Sequence, residues 1–169
     1  MTSKKLISSS MIHFRRTTED DIDFITSTEQ DPESREYIFT WTRDKHIQTI
    51  NSEDHLHITI ENNEKRKIGY IILAGILNQN SCIELVRINI GEKGKGYGKE
   101  SVKLIQDFVF NVLEAHRLWL DVKEHNDRAK HVYESAGFKI EGILRECIKK
   151  DDIYESLIIM GILKNEYHR

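Results

Sequence analysis

From Glu84 to Ile90 (ELVRINI) apolar, β-branched residues interleave with polar ones, the pattern of a strand. Gly91 breaks it, and Gly94, Gly96 and Gly98 follow at alternate positions. Apolar residues then return at helical spacing through SVKLIQDFVFNVLEA, at Val102, Ile105, Val109, Val112 and Leu113. The centre of the chain therefore reads strand, glycine-rich turn, helix.

The flanks read around that centre. Met11 to Arg16 is a short strand, and Thr17 or Thr18 caps a helix over TEDDIDFI, whose Glu19, Asp20 and Asp21 suit the positive end of the dipole. Pro32 ends this segment or starts the next. SREYIFTWT reads equally as a helical turn or an extended loop, and RDKHIQTIN as a short helix. His55 to Glu61 alternates, with Leu56, Ile58 and Ile60 opposite His55, His57 and Thr59, an exposed or half-buried face. Asn62-Asn63-Glu64 turns it into a more buried strand over Lys67 to Leu77. Arg117 to Lys123 is a strand, Asn126 to Ala136 a helix stopped by Gly137, and Phe138 to Ile148 with Ile153 to Leu163 a closing hairpin across KKDD. The order β-α-α-β-β-β-α-β-α-β-β implies an α/β (α+β) fold, a mixed sheet in which only the central β-α-β-α-β needs parallel crossovers.

Composition narrows the class. A chain of 169 residues, 38% hydrophobic, suits one domain spanning 1–169, with residues 1–10 as a loose start. A net charge of -3 implies no general affinity for nucleic acid. No apolar run approaches a membrane span, and the N-terminal stretch lacks a signal-peptide core, so a cytoplasmic protein is expected. Cys82 and Cys147 are far apart in sequence and read as reduced. His55 and His57 lack a third ligand at metal spacing, so no metal is expected.

The glycine turn is where chemistry enters. Glycines let the backbone approach a ligand, and the first amides of the following helix have no partners inside it. With Lys93, Lys95 and Lys99 among them, a phosphate or diphosphate is the natural guest. A Walker A loop fails because Tyr97 follows Gly96 where lysine is required. The dinucleotide fingerprint fails because Lys99 stands at the third glycine. Lys93-Gly94-Lys95-Gly96-Tyr97-Gly98 resembles the pyrophosphate loop [Q/R]-x-x-G-x-[G/A] of the GCN5-related N-acetyltransferases (GNAT), with Lys93 in place of the usual Gln or Arg. A second segment, Asn126-x-x-Ala129-x-x-x-Tyr133-x-x-x-Gly137-Phe138, resembles that family's N-x-x-A-x-x-x-Y-x-x-x-G-F in every named position. The resemblance is strongest over 84 to 138. The closing hairpin is most similar to the subgroup of spermidine and ribosomal-protein N-terminal acetyltransferases.

The resemblance implies a GNAT-type, mostly antiparallel sheet flanked by helices, and transfer of the acetyl group of acetyl-CoA to a primary amine in a ternary complex. It assigns acetyl-CoA to the backbone of Arg87, Ile88, Asn89 and Ile90, to the loop Lys93, Gly94, Lys95, Gly96, Tyr97, Gly98, Lys99 and Glu100, and to Asn126, Lys130 and Tyr133. A splay of the strands beside Arg87 to Ile90 would open the cleft for it. Tyr133 is the expected proton donor to the departing thiolate, and Glu84 the candidate base, directly or through water. Core packing for Tyr133 and an ion pair for Glu84 with Arg87 or Arg117 are the competing readings. Asn126 can cap its helix as well as touch the cofactor. His125 and His131 flank the motif and could reach the adenine end.

The acceptor side would be formed by the first helices and the closing hairpin. From Glu19 to Asp54 there are eleven acidic residues against three basic ones, a field suited to a cationic acceptor such as a polyamine, a lysine or a basic N-terminus. Tyr37, Phe39 and Trp41 alternate beside it, as a wall for an aliphatic amine or as anchors in the core. A homodimer is the assembly the family suggests. Two rival readings stay open, a non-catalytic acyl-CoA-binding sensor or scaffold and a nucleotide-binding protein using the same loop.

Overall fold

The structure, a computed structural model, describes residues 3–168. One eight-stranded sheet runs through it. Its strands are β1 (Lys5–Ser8), β2 (Ile12–Arg16), β3 (His55–Asn62), β4 (Lys67–Ala74), β5 (Cys82–Ile90), β6 (Arg117–Lys123), β7 (Lys139–Lys150) and β8 (Ile153–Leu163). Their spatial order is β1-β2-β3-β4-β5-β6-β8-β7. Only β5 and β6 are neighbours in parallel; every other pair is antiparallel. The mixed, mostly antiparallel sheet flanked by helices is the architecture the sequence implied. β7 does not pair with β6 after its crossover; β8 inserts between them.

Two expectations about the start of the chain need correction. Lys5–Ser8 is not loose; it forms an edge strand on β2, with Ile7 paired to Phe14. Its short length and lysine-rich approach hid it. The first helical region holds three helices, not two: α1 (Ile22–Gln30), α2 (Pro32–Tyr37) and α3 (Arg43–Ile50). Pro32 occupies the first turn of α2, where its missing N–H costs nothing. Thr42 caps α3 by accepting from Lys45 N at 3.2 Å.

The helices α4 (Tyr97–Asp107) and α5 (Asp127–Ser135) belong to the larger core. Val102, Ile105 and Phe108 pack there with Leu118, Leu120 and Met160, each buried side chain contributing about 1.5–3 kcal/mol. After Asp107 the helix widens into a π turn over Phe108–Val112, where Leu113 N bonds back to Phe108 O. A smaller core of Ile25, Tyr70 and Ile72, joined by Phe24, Trp41 and Val86, lies beneath α1 and the loop before α3.

The sheet is interrupted where the site lies. Leu85 pairs with Leu73 and Arg87 with Ile72, so Val86 is an extra residue bulging from β5. β5 and β6 pair only through Cys82–Arg117, Ile83–Leu118 and Glu84–Trp119. Beyond Glu84 the two strands part, and the backbone from Val86 to Ile90 faces an opening on the β6 side.

Candidate active site

The parted strands make a cleft whose two walls end in the two sequence signatures. On the β5 wall, the chain turns through Gly94 (φ +78°) and Gly96 (φ +79°) into α4, with Gly96 as its N-cap. A Cβ built on Gly94, Gly96 or Gly98 meets no atom within 4 Å, so the loop presents bare backbone to open space. The amides opening α4 face the same end. Lys95 is partly engaged by Glu92 at 2.9 Å. Burial, then nearby Arg128, pulls the Lys93 ammonium below its ordinary pKa, against the opposing pull of Glu33 and Asp31. Tyr97 turns its ring onto the core, so it contributes backbone to the loop, not a side chain. Glu100 sits in the first turn and donates its N–H to Gly96 O.

On the β6 wall, α5 positions Tyr133. Asn126 caps it, its Oδ1 accepting from Ala129 N at 3.2 Å. At the other end Gly137 takes φ +93°, and Phe138 N returns to Tyr133 O at 3.0 Å. That six-to-one closure brings the Phe138 ring to 5.6 Å from the Tyr133 ring. The Y-x-x-x-G-F spacing is therefore a helix-ending device that clamps the tyrosine. Tyr133 is only 8% exposed, and its hydroxyl makes no hydrogen bond to any described residue. Burial, then the charge of Asp121, pushes the phenol well above its usual range, so it stays protonated. Lys130 bonds to Asp127 at 2.9 Å and to Glu124 O at 2.5 Å, which leaves it committed at the helix start.

Glu84 lies on the sheet face that carries Ile72 and Arg87, half-buried at the point of splay. Burial, then Asp121, raises its carboxyl above the ordinary carboxylate value. It pairs with neither Arg87 nor Arg117: Arg87 bonds Glu29 and Arg117 bonds Glu141. Asn89, 5% exposed, accepts from Ser34 Oγ at 3.0 Å, while its Nδ2 is buried without a partner.

The face under α1–α3 holds an arrangement that the sequence pattern missed. Glu29 is 0% exposed, and its Oε1 receives His46 Nε2 at 3.1 Å, Arg87 Nη1 at 2.7 Å and the Tyr70 hydroxyl, while Oε2 receives Trp41 N at 2.9 Å. Burial opposes its charge, but the bonds from His46, Tyr70 and Trp41 and the charge of Arg87 outweigh that and hold it at about 2. From His46 a chain runs inward: His46 Nδ1 to His57 Nε2 at 3.1 Å, His57 Nδ1 to Thr17 Oγ1 at 3.0 Å, and Thr17 to Thr59 at 2.9 Å. His57 is thus buried, not on an exposed face as its alternation suggested. Burial, then His46, lowers it to about 3. If His46 Nε2 donates to Glu29, its Nδ1 accepts from His57 Nε2 and His57 Nδ1 accepts from Thr17, so every bond in the chain runs one way, from Thr59 toward the carboxylate. The Arg87 guanidinium sits 4.6 Å over the Trp41 ring. The side chain of Arg87 is therefore structural, and only its backbone is available to a ligand.

Across the cleft mouth, Lys123 is buried, bonds Glu36 O at 3.0 Å and Glu155 at 2.9 Å, and lies 5.4 Å over the Phe39 ring. Tyr37 meets His125 at 5.7 Å. Tyr37, Phe39 and Trp41 thus face His125, Lys123 and Arg87 in turn, with Phe39 still 46% exposed. His125 stands beside Tyr37 and Glu155, and His131 is exposed on α5.

The sequence profile of the acetyltransferase (GNAT) domain matches residues 12–139. The chain belongs to the GNAT acetyltransferase family. It is 29% identical over 119 residues to the spermidine N(1)-acetyltransferase of Vibrio cholerae, covering 70% of this chain and 69% of that one. It is 27% identical over 125 residues to the corresponding Escherichia coli K12 enzyme, covering 73% and 65%. Thus the aligned segments span about two thirds of these curated relatives. The crystal structure of the Vibrio cholerae spermidine N-acetyltransferase in complex with CoA and spermine superposes with a TM-score of 0.85 at 25% identity, over 94% of this chain and 99% of that one. GNAT enzymes draw the acetyl group from acetyl-CoA, and this GNAT chain is an acetyl-CoA-dependent acetyltransferase.

The residues present fit that donor. The bare glycine backbone and the α4 amides suit its diphosphate, and the unpaired edge of β5 from Val86 to Ile90 suits the amides of its pantetheine arm. Bound there, acetyl-CoA supplies an activated thioester to an amine.

Proposed function

We propose that this GNAT enzyme acetylates a primary amine of a polyamine in the cytoplasm, with Glu84 as base and Tyr133 as acid. The observation that carries the acceptor class is the likeness, over almost the whole chain, to a structure holding CoA and spermine together. The acceptor side supports it: Asp31, Glu33 and Glu36 stand exposed around α2, beside the cleft mouth. Their field draws in a polycation and raises its encounter rate.

Each group has a physical task. A primary ammonium of pKa about 10.4 must lose a proton before its lone pair can attack. Glu84, unpaired and raised by burial, is placed at the splay to take it. Tyr133 holds its proton at an otherwise unbonded oxygen inside the cleft and presents it where sulfur departs. Asn89 Nδ2, oriented by Ser34, and the N–H groups of the parted β5 edge are the donors left for the pantetheine arm. The capped start of α5 places Asn126 at the cleft wall.

The test is a thiol-release assay with acetyl-CoA and a panel of spermidine, spermine, Nα-acetyl-lysine and peptides with basic N-termini. The expected result is fastest turnover of the polyamines. Turnover of peptides alone would move the acceptor to a protein chain, and acetyl-CoA binding with no turnover of any amine would favour a non-catalytic binding module.

The assembly we propose is a homodimer through the β7–β8 hairpin. Ile140, Ile143 and Leu144 of β7 and Ile153 of β8 are 49–66% exposed on this outer edge of the sheet. A second copy of the same apolar hairpin is the occupant of matching chemistry. Light scattering of the intact chain and of a Leu144→Glu variant checks it, with a monomeric wild type as the contrary result. Free thiols at Cys82 and Cys147 suit a reducing compartment.

A further inference from the structure

We infer that Asp121, which no sequence signature marked, joins Glu84 to form a two-carboxylate seat for the reacting ammonium of the acceptor. Asp121 holds that group, and Glu84 takes its proton. The inference rests on the acetyltransferase reading above and deepens it at one position.

The placement comes from strand register. Glu84 is the last β5 residue paired with β6, opposite Trp119. Asp121 lies two residues beyond Trp119, so it returns to the same face of the sheet where β5 has already turned away. Its other side stays fixed, because β8 pairs Asp121 with Ile159. The two carboxylates therefore flank the point where the strands part, one on each wall.

Neither carboxylate has a partner in the protein. The buried acids among the described residues all have cations: Asp21 has Arg15 and Lys67, Glu29 has Arg87, and Glu61 has Arg15. Glu84 and Asp121 make no ion pair and no hydrogen bond with any described residue. Two neighbouring carboxylates, Glu84 half-buried and Asp121 exposed at the cleft, repel each other, and a cation between them relieves that cost. A primary ammonium offers three N–H donors to two carboxylates. Burial raises the carboxyl of Asp121 even though much of its surface is open to the cleft, and its charge raises that of Glu84 in turn.

A second observation points to a ligand in the same place. Tyr133 is more than nine-tenths buried, its hydroxyl is unpartnered, and it too feels the charge of Asp121. An acid for the leaving group and a seat for the incoming amine thus converge on one opening. In the step assigned to the pair, the N–H bond of the ammonium breaks and an O–H bond forms on Glu84. The nitrogen keeps its electron pair, and Asp121 remains ionised beside it. Asp121 thereby keeps the carboxyl of Glu84 basic enough to accept the proton.

The experiment compares Asp121→Asn with wild type, using whichever amine of the panel turns over, so a failed polyamine assignment leaves this test intact. The expected result is a fall in kcat/KM for the amine of roughly 10- to 100-fold, the usual weight of a charged hydrogen bond. Acetyl-CoA affinity by calorimetry and the melting temperature should stay at the wild-type values. A kcat/KM within about twofold of wild type would overturn the role, as would an equal loss of acetyl-CoA affinity. Carbon-13 carboxyl titration of the ligand-free protein gives a readout independent of any acceptor. Asp121→Asn should lower the midpoint of Glu84, and an unmoved midpoint would show that the two groups are not a pair.

Discussion

Arg87 Nη1 donates to Glu29 Oε1 at 2.7 Å while its guanidinium rests 4.6 Å above the ring of Trp41. The contact ties β5, α1 and the loop before α3 at one buried point, on the strand that forms the cleft wall. The side chains are 8% and 1% exposed, so neither charge can turn to water if the other is lost. Replacing Glu29 with Ala should therefore destabilise the protein by about 3–5 kcal/mol, the cost of a stranded buried charge. Urea unfolding measures it. A loss below about 1 kcal/mol, the range of an exposed pair, would mean that the pair is not desolvated in solution.

Acid should weaken the same network in two steps. His57 is held at about 3 in the folded protein, against 6.5 when free, so below 6.5 the unfolded chain binds the proton that the folded chain refuses. Stability then falls as pH drops from about 6.5 toward 3, by up to about 1.4 kcal/mol per unit. Glu29 is held at about 2 against 4.5, so its contribution is complete above 4.5 and drains away as pH falls toward 2. Between 6.5 and 4.5 the loss comes from His57, opposed in sign by the raised carboxyls of Glu84 and Asp121. Thermal melts across that window should show a slope that His57→Gln flattens. An unchanged slope in the variant would assign the acid sensitivity elsewhere.

What the sequence disclosed and what it concealed follow one physical line. Residues 126 to 138 were legible because cap, tyrosine, glycine and phenylalanine are neighbours along one helix, and their jobs are local. The glycine loop was legible for the same reason. The buried Glu29 relay was not, because its members come from α1, α3, β3, β4, β5 and the residue that follows β2. Nothing in HLHITIE shows that the polar face of that strand is covered by α3. Asp121 was concealed in a similar way: RLWLDVK alternates cleanly, but only the β5–β6 register sets Asp121 beside Glu84. The edge strand Lys5–Ser8 has too few residues to form a pattern of its own, and its pairing with β2 defines it.

The glycine loop makes a prediction that separates folding from binding. Gly94 and Gly96 adopt φ of +78° and +79°, where an alanine is strained by about 1–2 kcal/mol, yet an added Cβ at either meets no atom of the protein. Gly94→Ala and Gly96→Ala should therefore fold with a modest loss of stability. Any larger effect must fall on the ligand that approaches the backbone. Calorimetry should show acetyl-CoA affinity reduced by about tenfold or more, one lost charged hydrogen bond being worth about 1.5–3 kcal/mol. Affinity within twofold of wild type would place the diphosphate away from this loop.

Tyr133→Phe gives the clearest separation of chemistry from structure. The ring is clamped by Phe138 and the closure around Gly137, and a phenylalanine keeps all of that packing. The hydroxyl has no partner in the folded protein, so its removal leaves nothing stranded, and the melting temperature should not fall. The acetyl-CoA dissociation constant should also hold, because the loop and the β5 edge are untouched. What disappears is the phenolic proton, which burial keeps bound across neutral pH. Loss of a positioned acid costs about 10²-fold or more, so kcat should fall by that factor with little change in KM. Stopped-flow release of CoA thiol resolves the chemical step directly. Wild-type rates in the variant would return Tyr133 to a packing role and require another donor for the thiolate.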